Sequence, residues 1–364
     1  MQFSKTLICF LCLFNTLAFS WNISSESLLE KLQKEPPQWM QKRIENDLSY
    51  FHKGLSSHEI ELCLENLSQM QGSDKAGLAR IQFSNGIANV SPLHPLNAEQ
   101  KKYAEEFISA INLLHSISPI SNLDLLLCSS YSFDRPLLLL QTSAPIFAVS
   151  KEKHNNKVAL IPRLCDAERE ITFQTLYCDW GKKREKAFWR GFATDGNYGR
   201  FEWDCKPRAI LALLSQQNQD ILDAAIVPSS ILDNWIKNWM NNLSLVSDFI
   251  PAKEQCCYKY LLSLDGVASP SSLEWQLFTQ SLVFKAESNR IEWYFDELQS
   301  GLHYIPFHPR SIDLIEKIMW AQTHDEKAQS IAENGYQFAR EHLLDEELLV
   351  YLYHLLAEYS RLFF

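Results

Sequence analysis

Short apolar runs alternate with amphipathic segments in the stretch from position 256 to position 307. The apolar runs are Tyr260–Leu264, Ser281–Phe284 and Tyr304–Pro306, and the segments with helical spacing are Leu273–Thr279 and Glu292–Leu298. Short apolar runs indicate buried strands, and apolar residues with a period of 3.6 indicate helices. The order strand, helix, strand, helix, strand predicts a parallel sheet with crossover helices.

The chain before position 165 shows similar patterns, which predict another α/β unit. Leu123–Cys128 is typical of a buried parallel strand, and Asn97–His115 repeats apolar residues along one helical face. Further helices are predicted over Ser25–Lys34, Trp39–Phe51 and Leu55–Met70, and further strands over Ile81–Val90 (around the turn pair Asn85-Gly86), Ile146–Val149 and Val158–Ile161.

A second unit opens near Phe188 and ends in a long helical stretch. Within Ser311–Tyr359, breaks are predicted near Thr323 and at Asn334-Gly335, where the glycine favours a helix stop. The other predicted elements are a helix over Arg208–Leu214, a strand over Ile221–Val227 and a helix over Ser229–Met240. The sequence therefore predicts two halves that each contain a sheet, followed by a helical tail.

The first twenty residues have the composition of a targeting segment. One positive charge in Met1–Lys5 precedes the apolar stretch Leu7–Phe19, and Ala18-Phe19-Ser20 places small residues at cleavage positions. We interpret residues 1–20 as a secretory signal peptide, with an uncleaved anchor as the alternative, and expect no transmembrane span after cleavage. This predicts the endoplasmic-reticulum lumen for a eukaryotic source, and a periplasmic or membrane-associated location for a bacterial one.

Charge, cysteine content and missing motifs narrow the function classes. The 364 residues are 46% hydrophobic and 21% charged, as in an ordinary globular protein, and a net charge of -10 gives no electrostatic support to a nucleic-acid partner. After residues 1–20 there is no C-x-x-C pair, which weakens zinc and thioredoxin-like interpretations. Because the chain also lacks Asp-x-Asp, H-E-x-x-H and P-loop motifs, no metal site is predicted.

Polar residues follow the predicted strands of the second half. One strand runs into Asp265-Gly266, and the next ends in Lys285-Ala286-Glu287. Between them, Ser269-Pro270 fits a helix N-cap, while Ser271 and Glu274 give a capping-box spacing in a competing register. A helix start favours a phosphate, a lysine can neutralise a diphosphate, and a glutamate can accept from ribose hydroxyls. The alternative is that these residues are ordinary helix caps and solvated strand ends.

Six segments in a fixed order carry a resemblance that covers most of the chain after the signal. They are AFWRGFAT at 187–194, KYLLSLDG at 259–266, QSLVFKAES at 280–288, WYFDEL at 293–298, HYIPF at 303–307 and IAENGYQFAREHLL at 331–344. In them the chain resembles glycosyltransferase family 90, which includes protein O-glucosyl- and O-xylosyltransferases and lipopolysaccharide-modifying enzymes.

The resemblance implies an α/β fold of the GT-B-like class, made of two Rossmann-like domains with a helical C-terminal tail. Residues 21–165 would form the N-terminal, acceptor-side domain, and residues 166–340 the C-terminal domain that binds a nucleotide sugar. Residues 341–364 would form a C-terminal helix that packs back on the N-terminal domain.

The resemblance also implies an inverting, metal-independent glycosyltransferase. It would move a hexose or pentose, with glucose or xylose as the first choices, from a UDP-sugar to a hydroxyl of a protein or surface glycan, without a cofactor. Inversion needs a base, for which we choose Asp134, because the family's base is an aspartate past one strand and upstream of a strand resembling APIFAVSK at 144–151. Alignment from the preceding strand selects Tyr131 instead, whose pKa of about 10 suits a base poorly. A turn-opening role before Arg135-Pro136 is the alternative for Asp134.

On the donor side, the resemblance selects residues suited to a nucleoside diphosphate. The candidates are Arg190, Gly191, Thr194, Asp265, Gly266, Ser269, Ser272, Lys285 and Glu287. Arg190 would stabilise the leaving group with support from Lys285, and Glu287 would contact the ribose. Many relatives carry an arginine where this chain has Ser272, and a serine brings no charge. This departure supports a second hypothesis, a catalytically inactive sugar- or nucleotide-binding protein on the same scaffold.

Overall fold

The computed structural model of the protein describes residues 21, 23–69, 77–130, 143–164, 173, 175–230 and 232–363. These residues form two five-stranded sheets, one in each half of the chain, together with eleven α-helices. The α/β fold class predicted from the sequence is confirmed. Among the described residues, no helix combines the length and the apolar character needed to cross a membrane.

The first half builds a mixed sheet with the strand order β2-β1-β3-β4-β6. Its strands are β1 Leu78–Ser84, β2 Ile87–Pro92, β3 Leu123–Cys128, β4 Ile146–Ala148, β5 Lys151–Glu152 (outside this sheet) and β6 Val158–Leu160. Its helices are α1 Ser25–Leu32, α2 Gln38–Leu48, α3 Ser57–Ser68 and α4 Ala98–Ile117. β3, β4 and β6 are parallel, whereas β1 runs antiparallel to β2 and β3. The predicted turn at Asn85-Gly86 is confirmed, since both residues have positive φ, 52° and 77°.

The second half builds a fully parallel sheet. Its strands are β7 Arg184–Phe192, β8 Leu222–Val227, β9 Tyr258–Ser263, β10 Leu282–Ala286, β11 Arg290–Ile291 (outside this sheet) and β12 Ile305–Phe307. The helices are α5 Pro207–Gln217, α6 Asn234–Asn242, α7 Ala252–Gln255, α8 Ser272–Leu277, α9 Leu314–Thr323, α10 Asp325–His342 and α11 Asp345–Ser360. The strand order is β8-β7-β9-β10-β12, which is the 2-1-3-4-5 order of a doubly wound sheet.

The two halves share backbone pairing and a common apolar core. β5 of the first half pairs antiparallel with β11 of the second, so that Glu152 lies opposite Arg290. The last helix, α11, returns to the first half: the Tyr359 hydroxyl donates to the Asp124 carbonyl at 2.6 Å, and its ring lies 4.9 Å from that of Phe147. The domain boundaries at 165/166 and 340/341 stay a prediction.

The predicted helix over Glu292–Leu298 is wrong, because this segment forms a series of turns. Trp293 and Tyr294 are both fully buried but pack on different neighbours. The ring of Trp293 contacts Trp39 and Tyr351, whereas that of Tyr294 contacts Phe338 on α10. A helix that buries one face cannot place two successive aromatic rings in this way.

Two predicted helix limits are also wrong. The helix predicted from Ser229 begins at Asn234, after Asp233 as N-cap. The helix stop predicted at Asn334-Gly335 does not occur, because α10 continues to His342. Gly335 serves close packing instead: a Cβ placed there would come within 2.6 Å of the His303 carbonyl oxygen.

We expect Gly335→Ala to lower the free energy of unfolding by about 1–3 kcal/mol, because the added methyl group would push α10 off His303. Helix propensity alone predicts the opposite sign, a gain of about 1 kcal/mol for alanine over glycine. Urea unfolding followed by circular dichroism measures the difference. Gln329→Ala, at an exposed position of the same helix, is the control and should change stability little. Stabilisation by Gly335→Ala would contradict the packing argument.

Candidate active site

The candidate site lies at the carboxyl edge of the second sheet, at its switch point. In a sheet of order 2-1-3-4-5, ligands bind where the strand order reverses, which is between the first and third strands. Here these strands are β7 and β9, adjacent in the sheet. Thr194 follows the end of β7, and Asp265 and Gly266 follow the end of β9. The fold thus brings these three predicted residues to one place.

Arg208 fastens the ends of these two strands together, although the sequence analysis did not select it as a site residue. It is the second residue of α5 and only 8% exposed. Its Nε donates to the Asp265 carbonyl at 2.9 Å and its Nη2 to the Leu264 carbonyl at 2.9 Å. Its Nη1 donates to the Phe192 carbonyl at 2.5 Å and to Thr194 Oγ1 at 3.0 Å.

The positive charge of Arg208 is not cancelled by a direct ion pair within the described part of the chain. Its guanidinium partners are three carbonyls and a hydroxyl, and burial lowers its pKa. Its backbone N–H donates to Asp195 Oδ2 at 2.9 Å, and the Tyr198 hydroxyl holds the other oxygen of that carboxylate at 2.6 Å. A positive charge in the first turn of a helix is unfavourable for the helix dipole. This unusual position could have marked Arg208 as a candidate site residue in the sequence.

Gly266 is required by this arrangement. A Cβ at this position would collide with Thr194 Oγ1 and come within 2.9 Å of Arg208 Nη2. The backbone of the Asp265-Gly266 turn therefore lies directly against the arginine. A chain segment without a side chain also leaves room for a ligand to approach the backbone.

Asp265 and Lys285 extend the site towards β10. The Asp265 carboxylate accepts a short hydrogen bond from the Ser288 hydroxyl, and burial raises the pKa of Asp265. Burial likewise lowers the pKa of Lys285, although the nearby Asp265, Glu292 and Glu287 oppose that shift.

Lys285 is a buried ammonium held largely by aromatic rings. Its Nζ lies 4.7 Å from the ring centre of Phe295 and 5.9 Å from that of Tyr304. Its ammonium donates to the Ala286 carbonyl over a long distance of 3.5 Å, and no described carboxylate comes within 4.0 Å. Lys285 is only 7% exposed, and its ammonium can still donate hydrogen bonds to an anion. Glu287, the next charged residue, is exposed at the end of β10.

Arg190 is not brought into this cluster. It lies within β7, and its Nη2 forms an ion pair with Asp223 Oδ1 of β8 at 2.7 Å. Its guanidinium carbon lies 4.5 Å from the ring centre of Phe188. At the adjacent Gly191, a Cβ would come within 2.5 Å of the Trp189 ring, so this glycine makes room for a core tryptophan. The donor roles of Arg190 and Gly191 stay predictions that these contacts do not explain.

Ser269 lies at the junction between the halves rather than at a helix cap. Its hydroxyl donates a short hydrogen bond to Glu292, and its N–H donates to Ser150 Oγ at 3.4 Å. Glu292 is 2% exposed and pairs with Arg163 at 3.1 Å; burial nevertheless raises the pKa of Glu292. Sequence reasoning missed this pair, because its two partners stand 129 positions apart.

The remaining candidates give less information. Ser272 begins α8, which has six residues and no side-chain cap, so neither predicted capping register forms its hydrogen bond. A helix this short has only a small dipole to offer an anion. The chosen base, Asp134, and its alternative, Tyr131, lie outside the described residues.

Comparison with known proteins adds to this geometry. The family model for glycosyl transferase family 90 matches residues 162–364, which include all of the second sheet. This match covers more than half of the 364 residues. The chain belongs to glycosyl transferase family 90. The family resemblance predicted from the six sequence segments is thereby confirmed.

Curated relatives of this family member match half of its chain. Protein O-glucosyltransferase 2 of Danio rerio is 37% identical over 183 residues, which are 50% of this chain and 34% of that protein. Protein O-glucosyltransferase 1 of Homo sapiens is 31% identical over 186 residues, 50% of this chain and 43% of that protein. The chain thus spans well under half the length of these relatives. A solved structure of Anabaena Alr3699/HepE in complex with UDP-glucose covers 74% of this chain and 82% of its own, with a TM-score of 0.41 at 11% identity.

For this family member we expect Arg208→Met to lower the free energy of unfolding by about 2–5 kcal/mol, because three buried carbonyls would lose their donor. The same substitution at Arg184, which is exposed and donates to the Tyr258 hydroxyl, is the matched control and should cost less than about 1 kcal/mol. Chemical denaturation at one pH compares the two variants. Equal, small losses would show that Arg208 does not hold β7 and β9 together.

Proposed function

We propose that this protein is an inverting, metal-independent glycosyltransferase. It moves glucose or xylose from a UDP-sugar to a hydroxyl of a protein or of a surface glycan. Support comes from membership of glycosyl transferase family 90, and from relatives whose names are those of protein O-glucosyltransferases. The names of those relatives also favour a protein acceptor, and the signal interpreted in residues 1–20 would bring the enzyme into the secretory pathway.

The observation that carries the proposal is the buried Lys285 ammonium beside the switch point, which forms no ion pair with the described residues. A departing nucleoside diphosphate carries negative charge that the enzyme must stabilise as the sugar leaves. Lys285 is buried, has no described carboxylate at ion-pair distance and lies on the strand next to the Asp265-Gly266 turn. Arg208 adds a second positive charge behind that turn. In this mechanism, these two protein cations take the part that a metal ion plays in other transferases.

The acceptor hydroxyl must lose its proton as it attacks the sugar from the face opposite the leaving group. Asp134 is our proposed base, from a segment of the first half that follows β3. An aspartate ionised near neutral pH can accept this proton, whereas a tyrosine would have to lose its own first. Attack by the hydroxyl, without a covalent sugar–protein intermediate, inverts the configuration at the anomeric carbon.

The inactive binding protein is retained as a second candidate because of Ser272. The structure gives α8 no cation in its first turn, so the arginine of many relatives has no local substitute there. Lys285 and Arg208 reach the site from other elements, which favours the active enzyme.

The decisive experiment measures release of UDP from UDP-glucose and UDP-xylose by purified protein, with water as the acceptor, in paired reactions with and without EDTA. We expect turnover in EDTA, a loss of about 10²–10⁴-fold in kcat for Asp134→Asn, and a loss of about 10²-fold for Lys285→Ala. Lys237→Ala on α6 is the control and should match the wild type. The anomer of the released sugar, followed by NMR, tests inversion.

Each alternative gives a different outcome in this assay. Binding of UDP-sugar without release of UDP would support the inactive binding protein. Turnover that EDTA abolishes would overturn the metal-independent mechanism. If the protein neither binds a UDP-sugar nor releases UDP from it, both candidates are overturned.

The affinity for UDP should fall at alkaline pH because of Lys285. Burial lowers its pKa below the ordinary value of about 10.4, so the ammonium loses its proton earlier than an exposed lysine as the pH rises. Below that folded-state pKa the charge is fully present and the affinity is maximal. Above it, affinity should fall by about tenfold per pH unit, since binding requires one proton to be taken up.

Isothermal titration of UDP between about pH 7 and pH 10 tests this linkage. The matched variant is Lys285→Arg, whose guanidinium stays protonated throughout, so its affinity should be independent of pH whatever its absolute value. Identical slopes for the wild type and the arginine variant would show that Lys285 does not bind the nucleotide.

A further inference from the structure

A cavity distinct from the switch-point site lies where the two halves meet. It has a volume of about 850 Å³ and is lined by α2, by the loop after β5 and by the turn at Asp296-Glu297. None of the residues assigned above to the switch-point site lines it. Because α2 and β5 belong to the first half and the turn to the second, both halves contribute to this groove, which we call the junction groove.

The charged side chains at the base of the junction groove already neutralise one another. Arg43 pairs with Asp47 at 3.2 Å and with Asp296 at 2.6 Å. Lys151 pairs with the same Asp47 at 2.6 Å, and the other oxygen of Asp47 accepts from the Leu160 N–H at 2.8 Å. A phosphate that reached the base of the groove would meet carboxylates as well as cations, so the base does not favour an anion.

The rest of the lining combines uncharged polar groups and one aromatic ring with four charged or titratable residues, Lys42, Lys153, His154 and Glu297. Four amide side chains contribute to it, those of Gln38, Asn46, Asn155 and Asn156. An amide both donates and accepts hydrogen bonds, and that is what a hydroxyl group needs from its surroundings. Trp39 adds an apolar ring surface of the kind on which the C–H face of a sugar ring can pack.

Two buried N–H donors beside the groove have no acceptor among the described residues. They are Nε1 of Trp39 and Nε of Arg43, and both residues line the groove. Buried donors are nearly always paired in folded proteins, so two orphans at one cavity indicate an acceptor that comes from outside the chain. A ligand rich in hydroxyl oxygens, or the water that it displaces, supplies such acceptors.

We propose that the junction groove binds a neutral saccharide, as a subsite for the glycan part of the acceptor or product. This inference rests on the proposed function, because a transferase that acts on glycan hydroxyls has a use for a second sugar site. The site lies beside the β5–β11 pair, so an occupant would contact both halves at once. Saccharide binding should therefore also strengthen the contact between the halves.

The test uses maltotriose and xylotriose as probes, with the full chain and saturating UDP to occupy the nucleotide site. Saturation-transfer NMR detects binding, and titration gives the affinity. We expect binding by at least one trisaccharide, and a weakening of about tenfold or more in the double variant Asn46→Ala with Asn156→Ala. Both asparagines are exposed, so the variant should fold normally. Asn238→Ala, an exposed asparagine on α6, is the matched control and should bind like the wild type.

The outcomes separate this inference from the proposed function, because binding is measured without turnover. Saccharide binding that persists in Lys285→Ala and disappears in the double asparagine variant supports the junction groove even if transfer fails. No binding of either trisaccharide at about 10 mM would overturn the inference and leave the transferase proposal untouched. Binding of inorganic phosphate but of neither sugar, lost in the same double variant, would identify an anion site and overturn it as well.

Discussion

One buried guanidinium, that of Arg208, sets the geometry on which the candidate site depends. It joins the ends of β7 and β9 by donating to carbonyls of both strands, and so closes the switch point from behind. Removing a charged arginine from water is costly, and three well-formed hydrogen bonds to carbonyls offset that cost. The glycine at position 266 follows from it, since no side chain fits between the turn and the guanidinium.

The relative position of the two halves depends on polar contacts that are directional as well as buried. The Arg163–Glu292 pair and the Arg43–Asp296 pair each join a residue of the first half to one of the second. Buried ion pairs add little net stability, but they are costly to misplace, because a displaced charge remains buried without a partner. They therefore define one arrangement of the halves, while the shared apolar core supplies the attraction.

The strands that surround the site could be predicted from the sequence, because buried parallel strands leave uninterrupted apolar runs. β3 begins and ends at the predicted residues, and β9 and β10 are displaced from their predictions by no more than two residues at each end. The pairing of side chains across the molecule left no such pattern. Arg208 donates a hydrogen bond to a backbone carbonyl 57 positions away. Because every residue type has a backbone carbonyl, this contact leaves no pattern in the sequence.

Two of the three wrong helix predictions have the same physical origin. The apolar spacing around Trp293 and Tyr294 is typical of a helix, but the two rings fill different parts of the core. A glycine such as Gly335 is typical of a helix stop, but this one lies within α10. The His303 carbonyl packs so closely against it that no side chain would fit. In both cases a tertiary contact overrides local propensity.

The return of the last helix to the first half has a consequence for biosynthesis. α11 places Tyr351 beside Leu160 and Tyr359 beside Phe147 in the core, although 191 positions separate the first pair and the second pair is still farther apart in the chain. A nascent chain emerging from the ribosome can complete the second sheet while the first still presents an uncovered apolar surface. That surface closes only after Tyr359 has left the exit tunnel, so the amino-terminal half, made first, is the last to be finished and needs protection from aggregation in the interval.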